Sequence, residues 1–306
     1  MHGILNIDKP YGITSMEVVR RVKRACGQRR VGHAGTLDPI ATGVIPVCIG
    51  QATRVTQYLN DGRKEYEAQI ELGVTTDTYD AMGEVLSRCD PGDLSEGDIL
   101  TELKSFEGSI EQVPPMYSAL KKDGKRLYEL ARAGIEVERE PRRVQVYDIN
   151  LLELRGHVAR VLVTCGKGFY MRSLAFDLGQ ALGCGGHLKS LIRTKSGPFK
   201  VEEAVSLEDA EDAFSSSDWP DILNPPDVVL SSMRATIVGS KIEDMVRNGR
   251  ALPQGLGIPN GRANEKCRAY SVDGRFIAIL TFDATLASWR PEKVFSSLAK
   301  EAAPVG

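Results

Sequence analysis

Between Lys64 and Leu72 the chain reads KEYEAQIEL, with polar and apolar positions alternating from Glu65 onward. Tyr66, Ala68, Ile70 and Leu72 share one side, and Glu65, Glu67, Gln69 and Glu71 the other. A period of two predicts a strand with one buried and one wet face. VIPVCIG, residues 44–50, is apolar throughout and predicts a buried strand. GILNIDKP reads as a short strand stopped by Pro10, and RRVQVYDINLLEL, VARVLVTC and HLKSLIR as three more. The helical period takes over elsewhere. Thr14 with Glu17 forms a capping box that opens a helix through Val18, Val19 and Val22, and Gly27 ends it. ATRVTQYL and FYMRSLAFDLGQALG are further helices, the second ending at Gly183, and Asp123-Gly124 makes a hairpin turn before a helix closed by Gly134. Successive strands are close enough to pair as neighbours. The fold class expected is α+β, a largely antiparallel central sheet flanked by helices.

Past residue 214 the pattern changes. SSSDWPDILNPPD reads as a linker, because Pro225-Pro226 cannot continue regular structure. MRATIVGSKIEDMVRNGRALPQG and YSVDGRFIAILTF then suggest a small β-rich domain ending near WRPEKVF. The break at the proline pair predicts that the chain up to Pro225 folds by itself.

Length and composition narrow the class. The chain has 306 residues, 42% hydrophobic and 26% charged, as in a soluble globular protein of about two domains. No apolar run approaches the roughly 20 residues a membrane span needs. The six cysteines and four histidines are scattered, signalling neither a disulfide framework nor a metal site, so a reducing cytoplasm is expected. No coiled-coil signal appears, and a monomer is expected.

The net charge of −2 argues against a nucleic-acid partner until its distribution is read. Arg20, Arg21, Lys23, Arg24, Arg29 and Arg30 fall in one acid-free stretch, and Lys189, Arg193 and Lys195 in another. The acids between Glu202 and Asp221 sit where no lysine or arginine occurs. Segregation of this kind can present a basic face to phosphates. Ordinary solvated helix faces explain the same pattern equally well.

One loop stands out. GHAGTLDPIATG, residues 32–43, surrounds a single carboxylate, Asp38, with three glycines and a proline, and places His33 five residues before it. It is not a phosphate loop of the G-x-x-x-x-G-K-[ST] kind, and the chain has no G-x-S-x-G elbow. A rigid Gly/Pro loop can hold one acid without crowding an incoming group. An aspartate before proline is also an ordinary turn residue.

With LNIDKPYGITS, KEYEAQIELGVTTDTYDAMG, PPMYSALKKDGKRLYELARAG, CGKGFYMRSLAFDLG and GGHLKSLIRTKSGPF in the same order, this loop resembles the signature of the pseudouridine synthases of the TruB type. The resemblance runs from about Gly3 to Val205, and the C-terminal part resembles a PUA-like RNA-binding module more weakly. It implies a catalytic domain over 1–227, a PUA-like domain over 228–298 and a tail over 299–306. It implies isomerisation of the T-loop uridine of tRNA, with no cofactor or metal, no guide RNA and no membrane. By the same resemblance Asp38 is the catalytic acid, Arg172 its partner and Tyr66 the ring that stacks on uracil. His33 takes the place of the flipped base, while Lys9, Tyr170 and Leu191 line the nucleotide pocket. The basic stretches, from Arg20 to Arg30 and at Lys189, Arg193 and Lys195, would meet backbone phosphates. A catalytically silent RNA-binding protein on the same scaffold is the main alternative.

Overall fold

The computed structural model of the protein describes residues 1–122, 124–253, 258 and 260–295. Its centre is one mixed, mostly antiparallel sheet. Strand β1 (Gly3–Lys9) pairs antiparallel with β3 (Ala41–Ile49) along its whole length, and β2 (Val31–His33) adds to the end of β3. Strand β4 (Lys64–Leu72) pairs antiparallel with Val158–Cys165, which continues to Arg142–Arg155 and then to Gly108–Gln112. Burial in β4 alternates at every residue, as its sequence predicts.

Neighbour pairing fails at the centre. Strand Gly186–Ser196 lies between β3 and β4, parallel to the first and antiparallel to the second. The chain reaches that slot from Val158–Cys165 through helix Met171–Ala181, a crossover that joins two parallel strands and leaves room for β4 between them. The turn back is tight. A Cβ on Gly179 would lie 2.1 Å from the nitrogen of Gly186, so the helix can sit directly on the start of the inserted strand only with glycine there.

Helix α1 (Ser15–Cys26) begins at Thr14, whose hydroxyl accepts from the Glu17 nitrogen at 3.1 Å, and stops at Gly27 in the left-handed region. The reciprocal half of the capping box is not made, because the Glu17 carboxylate pairs with Arg20. ATRVTQYL is a 3-10 turn (Gly50–Val55) followed by a short helix (Thr56–Asp61). The Asp123-Gly124 turn falls partly outside the described residues, as does the whole tail 299–306.

The stretch read as a linker is built into the fold. Leu223–Asn224 pairs antiparallel with Ile4 and Leu5 of β1, and Pro226–Leu230 forms a 3-10 turn with Leu230 fully buried. Proline fits the first turn of such a helix, where no backbone donor is needed. Leu230 belongs to an apolar cluster containing Ile4, Ala34, Val44, Cys48, Val55 and Leu59 on one side. Phe276, Ile279 and Phe295 of the C-terminal domain supply the other side. That domain is a five-stranded sheet in the order Arg234–Val238, Lys266–Ser271, Phe276–Asp283, Ser288–Val294, Leu252–Pro253, with helix Ser240–Arg247 beside it. Polar contacts ring the joint: Lys293 Nζ donates to the Arg54 carbonyl at 2.6 Å, and Tyr270 Oη to Asp227 Oδ2 at 2.6 Å.

The charge segregation read along the chain is partly cancelled in space. Helix Leu207–Ser216, from the acidic stretch, packs on α1, and its Glu208 and Glu211 both pair with Arg21. Among the described residues no helix is long and apolar enough to cross a membrane.

Candidate active site

The loop between β2 and β3 is tied down at almost every residue. The Ala34 nitrogen donates to the Pro46 carbonyl at 2.9 Å. Ser15 of α1 both accepts from the Leu37 nitrogen at 2.8 Å and donates to its carbonyl at 2.9 Å. The Pro39 carbonyl accepts from the Gly12 nitrogen at 2.8 Å, and the Asp38 carbonyl from the Ala41 nitrogen at 3.0 Å. The Asp38 side chain takes part in none of these ties and is 34% exposed while its backbone is fixed.

Lys9 supports the same loop from below. It is fully buried, and Nζ donates to the carbonyls of Pro10 and Ile13 at 2.8 Å and of Pro39 at 3.5 Å. Burial pushes its pKa down to about 8, against the pull of the Asp38 charge. With its ammonium spent on three carbonyls, Lys9 is an anchor of the loop and not a contact for an incoming nucleotide.

Arg172 closes the site from the opposite side. It lies in the first turn of helix Met171–Ala181, whose start is held by Gln112: Oε1 accepts from the Tyr170 nitrogen at 2.8 Å and Nε2 donates to the Tyr170 carbonyl at 3.1 Å. The Arg172 side chain is only 4% exposed. Its Nε donates to Asp38 Oδ2 at 2.9 Å, Nη1 to the Thr78 carbonyl at 3.2 Å and Nη2 to the Tyr117 carbonyl at 2.8 Å. A second carboxylate, Asp80, stands 3.7 Å from Nε. It is fixed by the Thr78 hydroxyl at 2.7 Å and the Met82 nitrogen at 3.0 Å. Between them Tyr79 stacks on Phe176 of the Arg172 helix, ring centroids 4.1 Å apart, which pins this turn to that helix. A buried guanidinium needs compensating charge and filled donors, and here it has both.

Asp80, Gln112 and Tyr117 were not singled out from sequence, although two of the three lie in motifs that were. The signal for Asp80 was present in TDTYDAMG. Its Thr and Asp residues fold the turn by side-chain hydrogen bonds, and Gly83 admits no Cβ beside Asp77 and Thr78.

The third wall is the sheet itself. Tyr66 is 7% exposed on the buried face of β4. Burial raises its pKa, the Arg193 charge opposes that rise, and the Asp38 charge adds to it. Leu191, buried, stands in register between Ala41 and Ala68. Tyr170 is partly buried; burial raises its pKa too, with the Ser118 hydrogen bond acting against it. His33 is held neutral, first by burial and then by the Arg193 charge, and its Nδ1 makes no hydrogen bond among the described residues.

Arg193 corrects the surface reading. It is 0% exposed and donates to carbonyls inside the protein, so it cannot reach a phosphate. Arg21 is occupied by Glu208 and Glu211, and Lys189 pairs with Glu71 at 3.0 Å on the wet face of the sheet. Arg20, Lys23, Arg24, Arg29, Arg30 and Lys195 are exposed.

The comparisons with known proteins agree over most of the chain. Residues 23–171 match the N-terminal domain model of the TruB family of pseudouridylate synthases, and residues 172–231 the C-terminal domain model of tRNA pseudouridylate synthase B. The tRNA pseudouridine synthase B of Dehalococcoides mccartyi is 45% identical over 298 residues, 97% of each chain. The chain belongs to the TruB family of pseudouridylate synthases. The synthase of the same name from Francisella philomiragia is 40% identical over 92% of each chain. Among solved structures, a chain of a Cbf5-Nop10-Gar1 complex superposes with a TM-score of 0.74 at 30% identity. The match covers 96% of this protein and 85% of that chain. A chain of an H/ACA RNP bound to a substrate RNA containing 2'-deoxyuridine gives 0.73 at 28%, with the same coverage. The two TruB domain models meet between residues 171 and 172. The Asp38–Arg172 pair therefore joins a residue from each.

Proposed function

We propose that this protein converts the uridine at position 55, in the T loop of tRNA, to pseudouridine, acting alone and without a guide RNA. The observation that carries the reading is Asp38: one partly exposed carboxylate on an immobilised loop, with one oxygen held by the buried Arg172. The target base must first leave the stack, at a cost of a few kcal/mol. His33, neutral and adjoining the loop, can fill the gap without bringing a charge into it. Asp38 then acts at the sugar, as nucleophile at C1′ or as base for an elimination. The N1–C1′ bond breaks, the uracil turns, and C5 bonds to C1′; the C5 proton leaves and N1 takes one up, so all atoms balance. The hydrogen bond from Arg172 Nε to Oδ2 fixes the direction in which the Asp38 carboxylate faces the sugar. Tyr66 stacks on the freed ring, worth roughly 1–3 kcal/mol, with Leu191 and Tyr170 completing the pocket.

The exposed cations Arg20, Lys23, Arg24, Arg29, Arg30 and Lys195 contact phosphates, which add salt-dependent affinity without choosing sequence. In the same reading the segment 228–298 is a PUA-like RNA-binding module, of which residues 254–257, 259 and 296–298 lie outside the described part of the chain. The test is tritium release from a T stem-loop transcript labelled at uridine C5, using the purified protein with no guide RNA, nucleotide or metal added. Release confined to the T-loop uridine is expected. No release from the stem-loop or from whole tRNA would refute the assignment.

A further inference from the structure

Arg193 is a cation in the wrong place for a bland residue. It is wholly buried, and among the described residues no carboxylate pairs with it. Burying an uncompensated guanidinium is costly, whereas an apolar side chain of similar volume would fill the space without that cost. Its contacts show what the charge is tied to. Nε donates to the Val44 carbonyl of β3 at 2.6 Å, and Nη2 to the Gly35 carbonyl, three residues before Asp38, at 3.1 Å. Nη1 is buried and makes no hydrogen bond within the described chain.

The register explains the placement. Arg193 stands opposite Tyr66 of β4 on one side and opposite Gly43 of β3 on the other. Gly43 has φ +92°, and a Cβ there would lie 2.4 Å from the Arg193 carbonyl oxygen. Gly35 has φ +80°, and a Cβ there would meet Nη1 at 3.3 Å. Two of the three glycines in GHAGTLDPIATG thus make room for this one residue. Its charge in turn acts on the His33 ring and on the Tyr66 phenol.

We propose that Arg193 is a positioning residue that couples the two halves of the site. Its Nε and Nη2 clamp the Asp38 loop to β3, and its unpaired Nη1 is the donor that the Tyr66 oxygen, in register beside it, takes up when the nucleotide is bound. Acid and phenol then meet the nucleotide as one rigid unit. This inference rests on the pseudouridine-forming reading of the same site.

The experiment compares wild type, Arg193→Lys, Arg193→Gln, Tyr66→Phe and the Gln/Phe double variant on a T stem-loop, with kcat, KM and RNA affinity measured on folded protein. Arg193→Gln should lower kcat by roughly 100-fold, the scale on which small misplacements act, with KM and RNA affinity little changed. Arg193→Lys keeps the charge but only one tether, and should fall between Gln and wild type. The double variant should lose little beyond the worse single variant, as expected for groups acting as a unit. A kcat for folded Arg193→Gln close to wild type would overturn the proposal, as would losses that simply multiply in the double variant. If the Gln variants do not fold, Arg193→Lys decides: an unchanged kcat rejects the role and a lowered kcat at unchanged KM supports it. Wild type that forms no pseudouridine would instead overturn the reading of the site, and this role with it.

Discussion

Strands β3 and β4 flank the same inserted strand, and each delivers half of the site, yet their outer faces are opposites. On β4 the outer residues Glu65, Glu67 and Glu71 are half-buried and engage Thr194, Arg160 and Lys189. On β3 the outer residues Val44 and Cys48 are completely buried against Leu230, Phe276, Ile279 and Phe295. The inner residues of β3, Ala41, Ile45, Val47 and Ile49, meanwhile join the main core with Tyr66. The strand that follows the Asp38 loop is thus packed dry on both sides, and the strand that carries Tyr66 on one. The C-terminal domain is the back wall of the loop that holds the acid, and Ala34 of that loop sits in the shared cluster.

Removing that wall should have the largest effect. A chain ending at Pro225 loses Leu230, Phe276, Ile279 and Phe295, each worth about 1.5–3 kcal/mol of burial, together comparable with the stability of a whole domain. It should be insoluble or melt far below the full chain in a thermal scan, contrary to what the proline pair suggests in sequence. A truncated chain with an unshifted melting temperature would show that β3 does not depend on its outer cover.

Asp38→Asn leaves both strands and all loop tethers intact and removes only charge. Turnover should drop by at least roughly 1000-fold, the scale of one preorganised electrostatic group, with T stem-loop affinity retained. Turnover within about tenfold of wild type at saturating RNA would place the chemistry elsewhere.

On the β4 side Tyr66→Phe preserves the ring and its packing. If the hydroxyl serves proton transfer, kcat should fall by roughly 100-fold at unchanged affinity; a near-normal rate limits Tyr66 to stacking.

Lys9 offers a pH test of how dry the β3 side is. Its pKa is about 8 in the folded chain, against the ordinary lysine value of 10.5, so between these the unfolded chain holds a proton that the folded one has shed. Stability of wild type relative to Lys9→Met should therefore rise with pH in that window, by at most about 1.4 kcal/mol per pH unit, and level off on either side. Denaturant midpoints at several pH values measure it, and a flat difference would mean that Lys9 is solvated.

The smallest effect is expected on the wet face of β4. Glu67→Gln removes the pair with Arg160, whose side chain is 42% exposed, and should leave the melting temperature and turnover nearly unchanged. A larger loss would erase the contrast between the two strands.

Much of this organisation was legible before any coordinates. The alternation of KEYEAQIEL, the apolar run of VIPVCIG and the Thr14 cap are local signals, and local signals decide whether a segment is strand or helix. The same holds for the loop around Asp38, where glycine and proline declare a constrained backbone to any reader of the chain. What burial does to a charge was not legible. Arg193 and Lys195 lie two residues apart in one basic stretch, yet the first is interior and the second exposed, because a bulge between them sets Arg193 opposite the inward Tyr66 and Lys195 opposite the outward Glu65. Arg21 and the acids of 202–221 looked like separate charged faces until the packing of α1 on helix Leu207–Ser216 brought them together. The proline pair marked a true change of pattern, but whether the chain beyond it stands apart or leans back depends on which apolar faces remain uncovered. The sequence determined the elements, the constrained acid and the family resemblance, since these depend on neighbours a few positions away. The tertiary structure alone decided which cations are spent inside, which second carboxylate stands beside Arg172 and which domain supports the loop, because each depends on surfaces brought together from separate elements of the chain.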